Sequence, residues 1–328
     1  MITILEPGLL TSVQDLGRKG YQKQGVIVSG VMDEYAHIVA NLLVGNEVSK
    51  PTIEITILGP SIQFEEDLLI AICGGDFTPM IGDRQVALWR PVFVKKGSLL
   101  KFGYSKSGCR AYISIAGGFD LSKVMGSKST YLRAGIGGYK GRRLMHGDQI
   151  KVEKCGFLSQ KIIEDIKVDN LSFNVTDWYV RPYSDTCNNN ISVIIGRQFD
   201  CFTKESQDSL FNQPFKISAD SDRMGYRLKG PILKAKNKRD MISEATSFGA
   251  IQVPPGGDPI VLLADRQTVG GYPMIAQIIR VDLPKFAQLK PGEKVCFNKI
   301  SLEEAQSRFL EREIGLYQFK KSIDLKYL

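Results

Sequence analysis

Apolar and polar residues alternate along several short segments in the first half of the chain. The segment T-I-E-I-T-I-L alternates cleanly from Thr52, and further short apolar segments follow up to Gly147. Turn-forming pairs such as Gly59-Pro60 and Gly74-Gly75 separate them. Period-two alternation is typical of strands, which such turn residues end. The pattern predicts a β-barrel or sandwich, in which Glu54 is either an exposed residue or an acid that points into a site.

The clearest helix of this half is predicted to begin after Asp33. Asp33 is a natural N-cap, apolar residues then recur on one helical face, and Gly45 is a typical stop. His37 and Asn41 lie one turn apart and so share a face. For His37 we favour a partly buried structural role over a catalytic one.

Fewer strand signals occur between about residues 155 and 190, which indicates a domain boundary. Strands are predicted again from Ile191, over 241–253, over 275–282 and over 294–297, and residues 301–312 form an amphipathic helix. We therefore expect an N-terminal β-rich domain over residues 1–170, a C-terminal β-barrel domain over 171–300 and a helical tail over 301–328.

Candidate chemistry concentrates between Pro254 and Pro273. The apolar run of residues 260–264 predicts a buried strand, and Asp265, Arg266, Gln267 and Thr268 leave it together before Gly270, Gly271 and Tyr272. The glycines and the proline predict a constrained turn. A guanidinium suits a carboxylate or phosphate, and a glutamine suits an amide. The group fits a small acidic or amide substrate, while a turn held by local pairing is the structural alternative.

A second polar cluster has a similar character. Asp222, Arg223 and Arg227 flank Gly225 beside a predicted strand, and the alternating segment 241–253 brings in Glu244 and Gln252. The structural alternative for these arginines is pairing with Asp220, Asp222 or Glu244.

Composition describes an ordinary globular protein. The 328 residues are 43% hydrophobic and 24% charged, and the 32 glycines favour short strands over long helices. No secretory signal and no apolar run long enough to span a membrane is recognisable, so a cytoplasmic location is expected.

The formal charge of +8 is spread along the chain, with concentrations at residues 229–239 and near the C-terminus. Because no nucleic-acid motif or interleaved aromatic residue accompanies them, a solvated surface is favoured over nucleic-acid binding. Two histidines and no C-x-x-C pair argue against a zinc site and a disulfide framework. The six cysteines are widely spaced: Cys73, Cys109, Cys155, Cys187, Cys201 and Cys296.

A glycine-rich loop spans residues 135–141 and precedes Arg142 and Arg143. Backbone amides and guanidinium groups in such a loop can contact phosphate. However, the order of a P-loop and a strand-to-helix context are missing. A surface loop is therefore favoured over a nucleotide site.

Several longer motifs together resemble the KipA-like family, whose members are called the C subunit of 5-oxoprolinase, the second subunit of allophanate hydrolase or the biotin-dependent carboxyltransferase family. The resemblance covers about residues 1 to 300. The motifs that carry it include G-L-L-T-S-V-Q-D-L-G-R-K-G-Y, S-G-V-M-D-E-Y-A, C-R-A-Y-I-S-I-A-G-G-F-D, S-D-R-M-G-Y-R-L, I-S-E-A-T-S-F-G-A-I-Q-V-P-P-G-G and L-L-A-D-R-Q-T-V-G-G-Y-P.

The resemblance implies a mainly β, two-part cyclophilin-like β-barrel architecture with few short helices. It also implies two partner proteins of the same enzyme, one KipI-like and one LamB/YcsF-like. Together the three would open 5-oxoproline to glutamate with ATP and Mg, and this chain would be inactive alone. Neither a nucleic acid nor a membrane is an expected partner.

Residue type and position suggest roles at this site. The candidate catalytic residues, for charge stabilisation and proton transfer, are Asp265, Arg266, Glu244 and Arg223. The candidate substrate-binding residues are Gln267, Gln252, Arg227, Tyr272, Asp33 and Asn41.

Two alternatives stay open. One is a biotin-dependent carboxyltransferase component acting on urea or a similar amide; the chain has no M-K-M carrier motif, so biotin would come from another protein. The other is a regulatory binder that sequesters a KipI-like kinase inhibitor.

Overall fold

The computed structural model describes residues 1–168, 170–182, 189–237 and 241–328. Cys187 and the end of the basic stretch at Arg239 lie outside the described residues. Internal contacts divide the chain into two compact units. The first unit comprises Met1–Arg18, Asp33–Asp185 and Gly315–Leu328, and the second comprises Lys19–Met32 and Thr186–Ile314. The domain division predicted from the sequence stays a prediction.

The first unit contains two six-stranded antiparallel sheets. One sheet has the order β11-β1-β4-β9-β6-β7 and the other β12-β8-β5-β10-β3-β2. The strands are β1 Ile2–Glu6, β2 Leu10–Gln14, β3 Thr52–Thr56, β4 Ser61–Phe64, β5 Leu68–Asp76, β6 Met80–Ile81, β7 Arg84–Gln85, β8 Pro91–Val94, β9 Leu99–Lys101, β10 Ser107–Ile115, β11 Gln149–Ile150 and β12 Phe173–Val175. The helices are α1 Glu34–Leu43 and α2 Phe157–Ile166.

Alternation decides which side chains fill the space between the two sheets. On β3, Ile53 and Ile55 join the apolar core, and Ile113 joins it from β10. Glu54 and Tyr112 face the opposite side and are paired across the two strands. That side is buried as well, because α1 packs on β5 and β10. Of the two possibilities that the sequence left for Glu54, the exposed one is wrong, because the side chain is a buried acid.

Helix α1 begins as its sequence predicts. The Asp33 carboxylate accepts a hydrogen bond from the Ala36 amide at 2.9 Å, which satisfies one of the free N–H groups of the first turn. His37 is fully buried; it lies between the Thr52 hydroxyl at 2.9 Å and the Val48 carbonyl at 3.0 Å. Burial lowers its pKa to about 4, so the ring is neutral near pH 7.

The second unit contains a closed barrel of seven strands in the order β13-β20-β17-β18-β15-β14-β21. Parallel pairing of β13 with β21 closes it, and the other pairs are antiparallel. A short sheet joins β16 to β19. The strands are β13 Asn190–Ile195, β14 Phe215–Ile217, β15 Gly225–Lys229, β16 Glu244–Ala245, β17 Ala250–Gln252, β18 Ile260–Leu262, β19 Val269–Gly270, β20 Met274–Ile278 and β21 Lys294–Lys299. The mainly β, barrel-containing fold predicted from the sequence is confirmed.

Helices α3 Lys204–Asn212 and α4 Leu283–Ala287 belong to the second unit, whereas α5 Leu302–Tyr327 begins in the second unit and ends in the first. The sequence predicted an amphipathic helix over residues 301–312 within a helical tail that reaches residue 328. The helix continues through Gly315 because burial of Ile323 and a hydrogen bond from the Trp178 indole to the Tyr327 hydroxyl hold its last turns. No helix among the described residues is long and apolar enough to cross a membrane.

Candidate functional site

The polar turn after β18 is built on a buried ion pair. Arg223 donates from Nε to one Asp265 carboxylate oxygen at 3.0 Å and from Nη2 to the other at 3.2 Å. The Arg223 and Asp265 side chains are only 5% and 7% exposed. A bidentate, charge-assisted pair of this kind fixes the orientation of both side chains.

Strand register brings these two residues together. Antiparallel pairing places Gly225 of β15 opposite Leu262 of β18, so the residues before one strand meet the residues after the other. The Asp265 amide also donates to the Arg223 carbonyl at 2.8 Å. The two polar clusters recognised in the sequence therefore form one cluster in the barrel.

Arg223 also holds a segment from early in the chain. Its Nη2 donates to the Gly30 carbonyl at 2.5 Å. Met32 lies in the same apolar core as Leu263 and Ala264. Residues 30–32 are thus anchored at the base of the polar turn, a contact that sequence reasoning missed because 193 residues separate its two sides.

Arg266 is chemically distinct from Arg223. In the described part of the chain no carboxylate pairs with it. Its Nη1 donates to the Leu263 carbonyl at 3.3 Å, its Nε is buried without a hydrogen-bond partner, and its guanidinium carbon lies 5.9 Å from the centre of the Phe248 ring. Burial lowers the pKa of Arg266, and no acid offsets this effect. Such a cation is suited to binding an anion.

Amide groups lie on the following turn. The Thr246 hydroxyl donates to the Gln267 carbonyl, which fixes the backbone beside Arg266. Gln252, which is buried on β17, donates from Nε2 to the Tyr272 carbonyl at 3.3 Å. The Tyr272 side chain itself is 46% exposed. Gln252 and Tyr272, both candidate substrate-binding residues, therefore meet through a backbone oxygen.

Glu244 and Arg227 are exposed, as Tyr272 is. Glu244 lies opposite Gly270 in the sheet of β16 and β19. Its carboxylate accepts from Gln198 Nε2 at 3.4 Å and lies 3.6 Å from Arg197 Nη1. Gln198 and Phe248 are site neighbours that sequence reasoning missed, since neither stands inside a polar cluster.

Asp33 and Asn41 belong to the first unit and hold its local structure. Asp33 caps α1 and its amide donates to the Tyr112 hydroxyl at 2.8 Å. Asn41 donates to the Lys50 carbonyl at 2.9 Å and accepts from the Ser114 hydroxyl at 2.8 Å. Their contacts within this unit are structural, and substrate binding by either residue stays a prediction.

A buried tyrosine and carboxylate pair lies beside Asp33. The Tyr112 hydroxyl donates to the Glu54 carboxylate at 2.8 Å. Burial, followed by the nearby negative charges of Glu54 and Asp33, raises the pKa of Tyr112 well above its usual range. The hydroxyl therefore stays protonated and supports the sheet face under α1.

The glycine-rich loop uses its own polar groups internally. The Gly138 amide donates to the Lys128 carbonyl and the Gly141 amide to the Gly137 carbonyl. Arg142 makes two hydrogen bonds to the Asp148 carboxylate, at 2.6 and 2.7 Å. Since these amides and this guanidinium are engaged, the geometry favours a structural loop over a phosphate site. Among the described residues, no group of three or more His, Cys, Asp or Glu side chains is arranged to hold a metal ion.

Comparison with known proteins places these features in a family. Residues 24–299 match the family described as carboxyltransferase domain, subdomain A and B. The C subunit of 5-oxoprolinase from Haemophilus influenzae is 36% identical over 328 residues, which cover 99% of this chain and 100% of that protein. The C subunit of 5-oxoprolinase from Escherichia coli is 37% identical over 95% of this chain and 97% of its own length.

A solved structure shows the same fold within a larger protein. The urea amidolyase of K. lactis superposes with a TM-score of 0.86 at 32% identity, covering 97% of this chain and 20% of that one. The family predicted from the sequence motifs is thus confirmed, and this chain belongs to the carboxyltransferase domain family, subdomains A and B.

Proposed function

We propose that this chain is the C subunit of an ATP-dependent 5-oxoprolinase that opens 5-oxo-L-proline to L-glutamate. The full-length similarity to two proteins of that name supports the proposal. The observation that carries it is the state of Arg266, a partly buried cation with no acid beside it in the described residues. 5-Oxoproline bears a carboxylate, whereas urea is neutral, so Arg266 favours the lactam.

The chain's residues would divide the work as follows. Arg266 binds the substrate carboxylate, and Gln252 and Gln267 orient the lactam amide. The Arg223–Asp265 pair holds the turn, so that these two residues position the site through Arg266. Glu244, which is exposed and hydrogen-bonded only loosely, moves a proton from the attacking water to the ring nitrogen as the C–N bond breaks. Arg227 and Tyr272 lie at the exposed side.

The glycine-rich loop of this chain does not suit ATP. The glycine-rich loop, which is the segment most like a phosphate site, has its amides at Gly138 and Gly141 engaged, and its Arg142 is paired. We therefore place ATP and Mg with the KipI-like and LamB/YcsF-like partner proteins, and expect this chain to be inactive alone in the cytoplasm.

The test is glutamate release and ATP hydrolysis by the reconstituted complex of this chain with both partners, wild type beside Arg266→Ala. Losing hydrogen bonds between charged groups costs ~1.5–3 kcal/mol, so kcat/KM for 5-oxoproline should fall about 10- to 150-fold. Arg84→Ala is the matched control, because Arg84 also stacks on a phenylalanine but is exposed on β7 of the first unit. It should leave kcat/KM unchanged.

A substrate without the carboxylate sharpens this test. With 2-pyrrolidinone, wild type and Arg266→Ala should be equally poor, because the group that Arg266 binds is missing. An equal loss on both substrates would show that the substitution damages the fold. Absence of turnover by a well-formed wild-type complex would refute the proposed function.

Carboxyl transfer is the second candidate, favoured by the family match and by the similarity to urea amidolyase. In that case the anion beside Arg266 would be the carboxylate carried by biotin on another protein. Transfer of labelled carboxylate to urea from a biotinylated carrier, dependent on this chain, would support it. Regulation of a KipI-like kinase inhibitor stays a prediction from the sequence.

A further inference from the structure

Ser29 combines two costly features in the second unit. Its backbone has φ +55°, a left-handed conformation that disfavours residues with a Cβ. Its side-chain hydroxyl is buried without a hydrogen-bond partner, and the residue is only 5% exposed. A buried hydroxyl normally finds a partner, because leaving it unpaired loses the hydrogen bonds that water would make. Neither feature contributes to the stability of the barrel.

Ser29 is tied to the polar turn by its neighbour. The carbonyl of Gly30 accepts from Arg223, and Arg223 is paired with Asp265, the residue before Arg266. Within the described part of the second unit, Ser29 Oγ and Arg266 Nε are both buried without a partner. Each of these two groups therefore belongs to a residue that is next in the chain to a hydrogen-bond partner of Arg223.

We propose that the Ser29 hydroxyl is a substrate-binding group, which hydrogen-bonds the amide of the ligand whose carboxylate Arg266 binds. The inference rests on the proposed function, because it adds a residue to the same site. A hydroxyl both donates and accepts, so it can serve the carbonyl oxygen or the N–H of a lactam. Strain and an unpaired polar group at one residue are typical of a binding site, where the ligand supplies the missing partner.

The hydroxyl is closed off in this conformation, so the ligand reaches it through a local change in the backbone. Ser29 and Gly30 both have positive φ, at +55° and +94°. A change at this pair relieves the strain at Ser29, and Gly30 accepts either sign of φ. The chain can therefore rearrange at Ser29 on binding, while the bond of the Gly30 carbonyl to Arg223 and the packing of Met32 hold the residues that follow.

The experiment compares Ser29→Ala and Ser29→Gly with wild type in two assays. Because the hydroxyl has no protein partner and its burial is costly, the thermal unfolding midpoint should stay the same or rise for Ser29→Ala and should rise for Ser29→Gly. In the assembled complex both variants should lose at least tenfold in kcat/KM for 5-oxoproline. Thr78→Gly is the control, since Thr78 also has positive φ, at +47°, but lies in the first unit. It should raise the midpoint and keep full activity.

If the wild-type complex is active, either of two results would overturn the inference. One is a lower unfolding midpoint for Ser29→Ala, which would reveal a structural partner of the hydroxyl. The other is a kcat/KM for the Ser29 variants within twofold of the wild-type value. If the wild-type complex has no turnover, the proposed function fails, and calorimetric titration with 5-oxoproline and with urea decides the inference instead. It then stands only if at least one probe binds wild type and Ser29→Ala weakens that binding at least tenfold.

Discussion

The buried pair of Arg223 and Asp265 leads to a quantitative prediction about stability. Asp265→Ala removes the acid and leaves the Arg223 guanidinium buried, with its side chain only 5% exposed. Arg223 keeps its bond to the Gly30 carbonyl but loses both bonds to the carboxylate. A buried guanidinium then lacks the carboxylate that accepted two of its hydrogen bonds.

Removing one partner of a buried pair costs ~3–5 kcal/mol, because the remaining charge keeps its desolvation cost and loses the attraction that offset it. Arg223→Met should cost a similar amount for the same reason. The double variant should cost less than either single variant, since no charge is then left buried. At ~2 °C per kcal/mol, each single variant should lower the unfolding midpoint by about 6–10 °C.

Differential scanning calorimetry of wild type, both single variants and the double variant measures this double-mutant cycle. The control is Asp258→Ala, which breaks the exposed pair with Lys229 in the same unit and should cost at most ~1 kcal/mol. Additive losses in the double variant, or single losses no larger than the control, would refute the argument that burial of the pair decides the cost.

Three further predictions concern the first unit. The pKa of His37 falls from its usual 6.5 to about 4 because the ring is buried. The free energy of unfolding should therefore be largest above pH 6.5 and fall by up to ~3 kcal/mol between pH 6.5 and 4. Urea unfolding at a series of pH values measures this change, and a flat profile would contradict it. Gly137→Ala should lower the free energy of unfolding by ~2–5 kcal/mol, because its Cβ would clash with the Ser129 carbonyl. Gly135→Ala has open space around its Cβ and should lower it only by the ~1–2 kcal/mol that positive φ costs. Equal denaturant midpoints for the two variants would rule out the clash. Tyr327→Phe should lower the free energy of unfolding by ~1 kcal/mol, because the hydroxyl's two hydrogen bonds are lost. It should also speed amide hydrogen exchange at the end of α5. Unchanged exchange would show that this contact does not hold the helix.

Local patterns predicted the elements well where a strand has one apolar face. Ile53 and Ile55 alternate with Glu54, and all three lie as period-two alternation requires. Local pattern could not tell that the polar face is also buried, because that depends on α1 packing over it. For the same reason the amphipathic pattern of the helical tail was recognisable only to residue 312, because residues far away in the sequence hold the last turns of α5.

At the candidate site, too, local sequence pattern predicted part of the arrangement and tertiary packing decided the rest. By itself, the sequence determined a mainly β protein of a recognisable family, and it placed Arg223 and Arg266 beside strands with the same chemistry available to both. Only the tertiary structure decided that they differ. The register of β15 and β18 sets Arg223 against Asp265, 42 residues away in the chain, and leaves Arg266 part-buried without an acid among the described residues. A guanidinium's partner depends on distance in space, and sequence neighbours do not determine that distance.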